Sequence, residues 1–90
     1  RLYNENKFQA CYDFAHKCLK TNPHSRAALL SIAKASIKLA NIDETFAILF
    51  SIIRKNPKDI QAIDILATAY RDNNQYEKGL IYAKRAIDLD

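Results

Sequence analysis

In this 90-residue chain the two cysteines, Cys11 and Cys18, and the two histidines, His16 and His24, are the first residues to weigh as nucleophile, base or metal ligand. The cysteines stand seven apart in a helical stretch, so at ~1.5 Å rise per residue they are roughly 10 Å apart along the axis. A disulfide needs Cα atoms within ~7 Å, which excludes a bond between them there. A metal would need further ligands, which only His16 could begin to supply. The expected role of Cys11 and Cys18 is therefore that of small core residues, as unpaired cysteine is often buried. Two thiols without a partner agree with a reducing compartment such as the cytoplasm. His16 lies between Ala15 and Lys17, off the apolar stripe, and His24 follows Pro23 in a turn; neither has a nucleophile or a paired carboxylate at a spacing that would make a site. The chain contains no glycine-rich phosphate loop, Cys-x-x-Cys, His-Glu-x-x-His or Gly-x-Ser-x-Gly. The expectation is a protein that is not an enzyme and holds no cofactor or metal.

The elements that carry these residues repeat. Moving back 34 places from Tyr76 reaches Ile42 and then Phe8; Leu80 maps to Phe46 and Tyr12, Tyr82 to Ile48 and Phe14, and Ile87 to Ile53 and Leu19. Every set is apolar. Asn22-Pro23 recurs as Asn56-Pro57, and Asp90 stands where a third Asn would fall. A fixed period of this length is the mark of a solenoid, in which each unit buries its apolar face against its neighbours. Ile63, Leu66, Ala67 and Tyr70, followed by Tyr76, Gly79, Ala83 and Ala86, resemble the tetratricopeptide repeat, a helix-turn-helix of 34 residues. The middle unit keeps Leu29, Ile32, Ala33, Ile42 and Pro57, and the first begins near its turn with Phe8, Cys11, Ala15, Cys18 and Pro23. Three residues depart from the pattern: Ser36 stands in the place of Tyr70, Thr45 in that of Gly79, and Ile52 in that of Ala86.

Half the residues (49%) are hydrophobic, with one Gly and two Pro, which suits one all-α domain rather than a sheet protein or a disordered chain. The resemblance implies an alpha-alpha superhelix of antiparallel helix pairs divided as 1–23, 24–57 and 58–90. About two and a half units fall short of the roughly three that usually stand alone, so a longer parent array is expected. The spacing predicts the end of a first helix over Arg1–Asn4, a turn at Asn4–Asn6 and a helix from Lys7 to Thr21. Ser25 caps a helix to about Ala40, Asn41 turns the chain, and Asp43 caps a helix to about Lys55. Asp59 opens a helix to Asp72, Asn73-Asn74 turns the chain, and Tyr76 to Leu89 is the last helix. No stretch approaches the ~18 apolar residues of a membrane span and none reads as a signal peptide, so either, if the parent protein has one, is expected outside these residues.

The net charge of +4 raises the question of nucleic acid. Lys17, Lys20, His24 and Arg26 form one basic region, but eight carboxylates, Asp13 to Asp88, are spread among the other positive residues as on an ordinary solvated surface. RNA-binding helical repeats are the weaker reading. The resemblance implies protein recognition on a concave surface lined by the first helix of each unit. That surface is expected to carry Ala27, Leu30, Ser31, Lys34, Ile37 and Lys38, then Gln61, Asp64, Ile65, Thr68, Arg71 and Asp72. Ser31, Lys34, Lys38, Gln61, Asp64, Thr68 and Arg71 are the candidate partner-binding residues. Lys34 and Lys38, one helical turn apart, would donate with Arg71 to an acidic or carbonyl-rich segment. The alternative is architectural: self-association, or stacking on further repeats through apolar ends.

Overall fold

The computed structural model describes the backbone of residues 2–90 and the side chains from Lys7 onward. Five helices follow in order, α1 (Leu2–Thr21), α2 (Arg26–Lys38), α3 (Ile42–Lys55), α4 (Ile60–Asp72) and α5 (Tyr76–Leu89), with no strand among the described residues. The architecture is all-α. Helix α1 runs unbroken through Asn4–Asn6, so the turn expected there is replaced by one 20-residue helix. Nothing in Leu2–Thr21 breaks a helix, since it contains neither Gly nor Pro.

The boundaries of the other helices repeat along with the sequence. The side chains of Asn22 and Asn56 accept from the backbone N–H of His24 and Lys58, at 3.3 and 3.2 Å, so each Asn-Pro is an Asx turn that ends one helix and aims the next. Ser25 and Asp59 then occupy the N-cap, and each accepts at 3.2 Å from the N–H three residues on, Ala28 and Ala62. At the turn inside each pair, the N–H of Asn41 bonds Ser36 O (2.8 Å) and the N–H of Gln75 bonds Tyr70 O (2.9 Å). Both turns need one residue in the left-handed region, Ala40 (φ 62°) and Asn74 (φ 63°). The turn residue is thus Ala40, and α3 is capped by Asn41, not Asp43. The Asn41 side chain accepts no cap bond; its amide Nδ2 donates to Glu44 Oε1 (2.9 Å). Asp43 and Glu44 in the first turn and Arg54 and Lys55 in the last complement the dipole of α3.

Each helix packs on its sequence neighbours, and α2 also packs on α4. The main core joins Leu30 and Ala33 of α2, Leu49 and Ile52 of α3, and Ala62, Ile65, Leu66, Ala69 and Tyr70 of α4. Ser36 and Thr45 are fully buried beside it and hydrogen-bond to each other at 2.5 Å. Ser36 Oγ also reaches Ala33 O (2.9 Å), and Thr45 Oγ1 reaches Asn41 O (3.2 Å). Whichever hydroxyl donates across the pair, the other proton has a carbonyl on its own helix, so neither donor is left unmade.

Two junctions tie successive units. Arg26 at the start of α2 donates to Asp59 through Nε (2.8 Å) and Nη2 (2.7 Å), and Nη2 also reaches Gln61 Oε1 (2.8 Å). The guanidinium, with the backbone N–H groups of Ala62 and Gln61, holds the buried Asp59 carboxyl below the usual carboxylate range, against the opposing effect of burial. On the other side, Glu44 of α3 binds α1. Its Oε1 accepts from the Tyr12 hydroxyl (2.5 Å), which raises the Tyr12 phenol above its ordinary value, and its Oε2 lies 3.2 Å from His16 Nε2.

Candidate functional site

The side-by-side packing of α2 and α4 decides which predicted groove residues stay open. Leu30 and Ile65, expected on the free surface, are 7% and 8% exposed and belong to the core. The reason is lateral: at those places the side chain faces the neighbouring helix, not solvent. The polar positions beside them remain outside. Lys34, Lys38, Asp64 and Thr68 line a cleft of about 370 Å³ together with Phe8, Ile37 and the edge of Ile65. Two lysines of α2 and an aspartate and a threonine of α4 thus line one cleft with an apolar floor. Thr68 Oγ1 donates to Asp64 O on its own helix at 3.2 Å.

The remaining candidates lie elsewhere. Gln61 accepts from Arg26 and is part of the junction between α2 and α4. Ser31 lines a separate cleft with Cys11, Phe14, Ala15 and Cys18. Arg71 stands 3.7 Å from Asp72 and lines a third cleft, between α4 and α5, so it does not share the Lys34 and Lys38 cleft. Phe8, the floor residue from α1, was missed by sequence reasoning, because its 34-residue counterparts Ile42 and Tyr76 mark it only as apolar, and only the packing of α1 against α2 brings it there.

The cysteines correct the expectation of a buried pair. Cys11 is exposed and Cys18 half-buried. Their counterparts Thr45 and Ile52 are buried by α2 and α4, and no described helix covers α1 in the same way. His16 is spent on Glu44. His24 is exposed beside Arg26 and Lys55. Among the described residues no group of three His, Cys, Asp or Glu is placed to hold a metal ion, and no helix is long and apolar enough to cross a membrane.

No family model and no curated protein matches the chain. What the geometry offers is an open, mainly apolar cleft with two cations at one rim.

Proposed function

We propose that the chain is a tetratricopeptide-type helical repeat that acts as a protein-interaction module, without enzymatic activity, and holds an acidic or carbonyl-rich segment of a partner protein between α2 and α4. The observation that carries this reading is the cleft in which Lys34 and Lys38 stand over Phe8, Ile37 and Ile65. Extended peptides are held this way, by charge and hydrogen bonds at the rim and by apolar contact at the floor. The two Asx turns, two N-caps and two left-handed turn residues, each recurring at 34 residues, support the repeat and its continuation as an alpha-alpha superhelix.

The test is a binding selection from displayed acidic peptides on the chain, followed by titration of the selected peptide against the double variant Lys34→Glu, Lys38→Glu. Both side chains are exposed, and exposed charges contribute only about 0 to 1 kcal/mol to stability, so the melting temperature should hardly move. Affinity should fall at least about tenfold, equivalent to about 1.4 kcal/mol. Selected peptides that bind the double variant unchanged would place recognition outside this cleft. Tighter binding of a random single-stranded RNA than of any peptide would instead favour the RNA reading.

A further inference from the structure

The basic region Lys17, Lys20, His24 and Arg26 is divided by the fold. His24 and Arg26 join Ser51, Lys55 and Asn56 around a small cavity of about 150 Å³, and Lys17 and Lys20 do not line it. Arg26 opens α2 and Lys38 closes it, so at ~1.5 Å rise per residue the cavity lies roughly 18 Å along the helix from the Lys38 end of the α2–α4 cleft.

The donors on its lining are held in place and unspent. Arg26 gives Nε and Nη2 to Asp59 and Gln61, which fixes the guanidinium plane and leaves Nη1 without a partner among the described residues. Asn56 accepts from the Lys58 N–H through Oδ1, and no described group takes its amide N–H. Lys55, like Arg54 and Lys58 near it in sequence, is exposed and in no ion pair among the described residues. Asp59 is the carboxylate on the lining, and both its oxygens are engaged: Oδ2 by Nε, Oδ1 by Nη2 and the Ala62 N–H. Leu29 and the buried Ile52 complete the wall, and an apolar wall lessens the screening of charge by water.

We infer that this cavity binds the phosphate monoester of a phosphorylated side chain on a partner protein. Guanidinium, ammonium, hydroxyl and amide donors from α2, α3 and the turn after it suit an anion with three strongly accepting oxygens better than a planar carboxylate with two. A monoester carries one substituent and enters a cavity of this size end-on, whereas a phosphodiester has chain on both sides of its phosphorus. The donor set is particular to this junction. One period on, Lys58, Ile60, Arg85, Leu89 and Asp90 stand at the places of His24, Arg26, Ser51, Lys55 and Asn56. The cavity shares no lining residue with the cleft that carries Lys34 and Lys38, so either site can fail without the other.

The probe is the capped tripeptide acetyl-Ala-phosphoserine-Ala-amide, titrated into the isotope-labelled full chain at about pH 7.5, where the phosphate is close to a dianion. Amide signals of His24, Arg26, Ser51 and Asn56 should shift together and saturate with a dissociation constant of about 1 mM or tighter. The unphosphorylated tripeptide should give no saturating shift, and inorganic phosphate should bind at least about threefold more weakly. Lys55→Glu should weaken binding at least about tenfold with an unchanged circular dichroism spectrum, while Lys84→Glu, also exposed, and the Lys34→Glu, Lys38→Glu pair alter it less than about twofold. Absence of saturation by about 10 mM overturns the inference. So does equal weakening by Lys55→Glu and Lys84→Glu, which would mean attraction by net charge alone. Equal affinity for inorganic phosphate would give the cavity to a free anion, and tighter binding of single-stranded RNA or of phosphatidic acid vesicles would give it to a nucleic acid or a membrane; each result overturns the assignment to a phosphorylated protein.

Discussion

The helix pairs α2–α3 and α4–α5 place the same backbone around opposite side-chain solutions. In the second pair a large ring, Tyr70, sits against Gly79, where an added Cβ would lie 3.1 Å from Ala67 O and 3.5 Å from Tyr70 Cβ. In the first pair the ring is replaced by Ser36 and the glycine by Thr45, and the two hydroxyls bond each other in a fully buried site. Volume moved from one helix to the other and the gap closed with a hydrogen bond. The lesson is that a close-packed interior constrains the sum across two facing helices more tightly than either residue alone. The same contrast extends to the junctions between units. Tyr12, His16 and Glu44 make a polar clamp between α1 and α3, whereas Phe46, Tyr70 and Tyr82 make a row of rings at 4.7 and 5.5 Å, with Lys78 Nζ 5.8 Å from the Tyr70 centroid. Ring pairs of this kind add about 0.5 to 1.5 kcal/mol beyond burial, so the second unit is expected to be the better anchored.

The strongest way to break this comparison is to transplant one solution into the other pair. Tyr70→Ser removes a ring that is 8% exposed and should cost roughly 3 to 5 kcal/mol in urea unfolding. Gly79→Thr alone should cost about 1 to 3 kcal/mol, because its Cβ would stand 3.1 Å from Ala67 O and 3.4 Å from Arg71 N on the facing helix. Together they rebuild the Ser36–Thr45 arrangement, and the pair should be less damaging than the sum by more than about 1 kcal/mol. Additive costs would show that the exchange between the two pairs is coincidence.

A smaller effect separates the two N-caps. Ser25→Ala loses one cap bond, about 1 kcal/mol, while Asp59→Ala loses a cap and the Arg26 bonds and should cost about 2 kcal/mol or more. The signature is in the pH dependence. Because the folded state holds Asp59 below its ordinary pKa, its contribution is fully present above the unfolded value of about 3.9 and is lost as pH falls through the folded one. Thermal melts of Asp59→Asn should therefore show a smaller fall in stability below about pH 4 than the parent, and Ser25→Ala should leave that fall unchanged.

The smallest effect lies in the turns. Ala40 and Asn74 hold the same left-handed conformation, which Asn tolerates and Ala resists. Ala40→Asn should stabilise and Asn74→Ala destabilise, each by about 0.5 to 1 kcal/mol in chemical denaturation. Shifts of the same sign would mean that the turns are less alike than their hydrogen bonds indicate.

The helical class, the turns at Asn-Pro and the α5 limits were legible in the amino-acid sequence, because period, caps and helix breakers act over a few residues. So was the departure at Ser36 and Thr45. That the two touch was not, since nine residues of separation fix the helix faces but not the distance between two helix axes. The placement of the candidate site divides along the same line. Exposure of Lys34, Lys38, Gln61, Asp64 and Arg71 follows from polarity and helical period. Their grouping does not: only the lateral contact of α2 with α4 puts Leu30 and Ile65 inside, brings Phe8 under Lys34 and Lys38, gives Gln61 to Arg26, and leaves Arg71 in a different cleft. Local chemistry determined which residues form helices and where those helices stop; long-range packing, which no short window of residues encodes, decided which faces are covered and which remain free to bind.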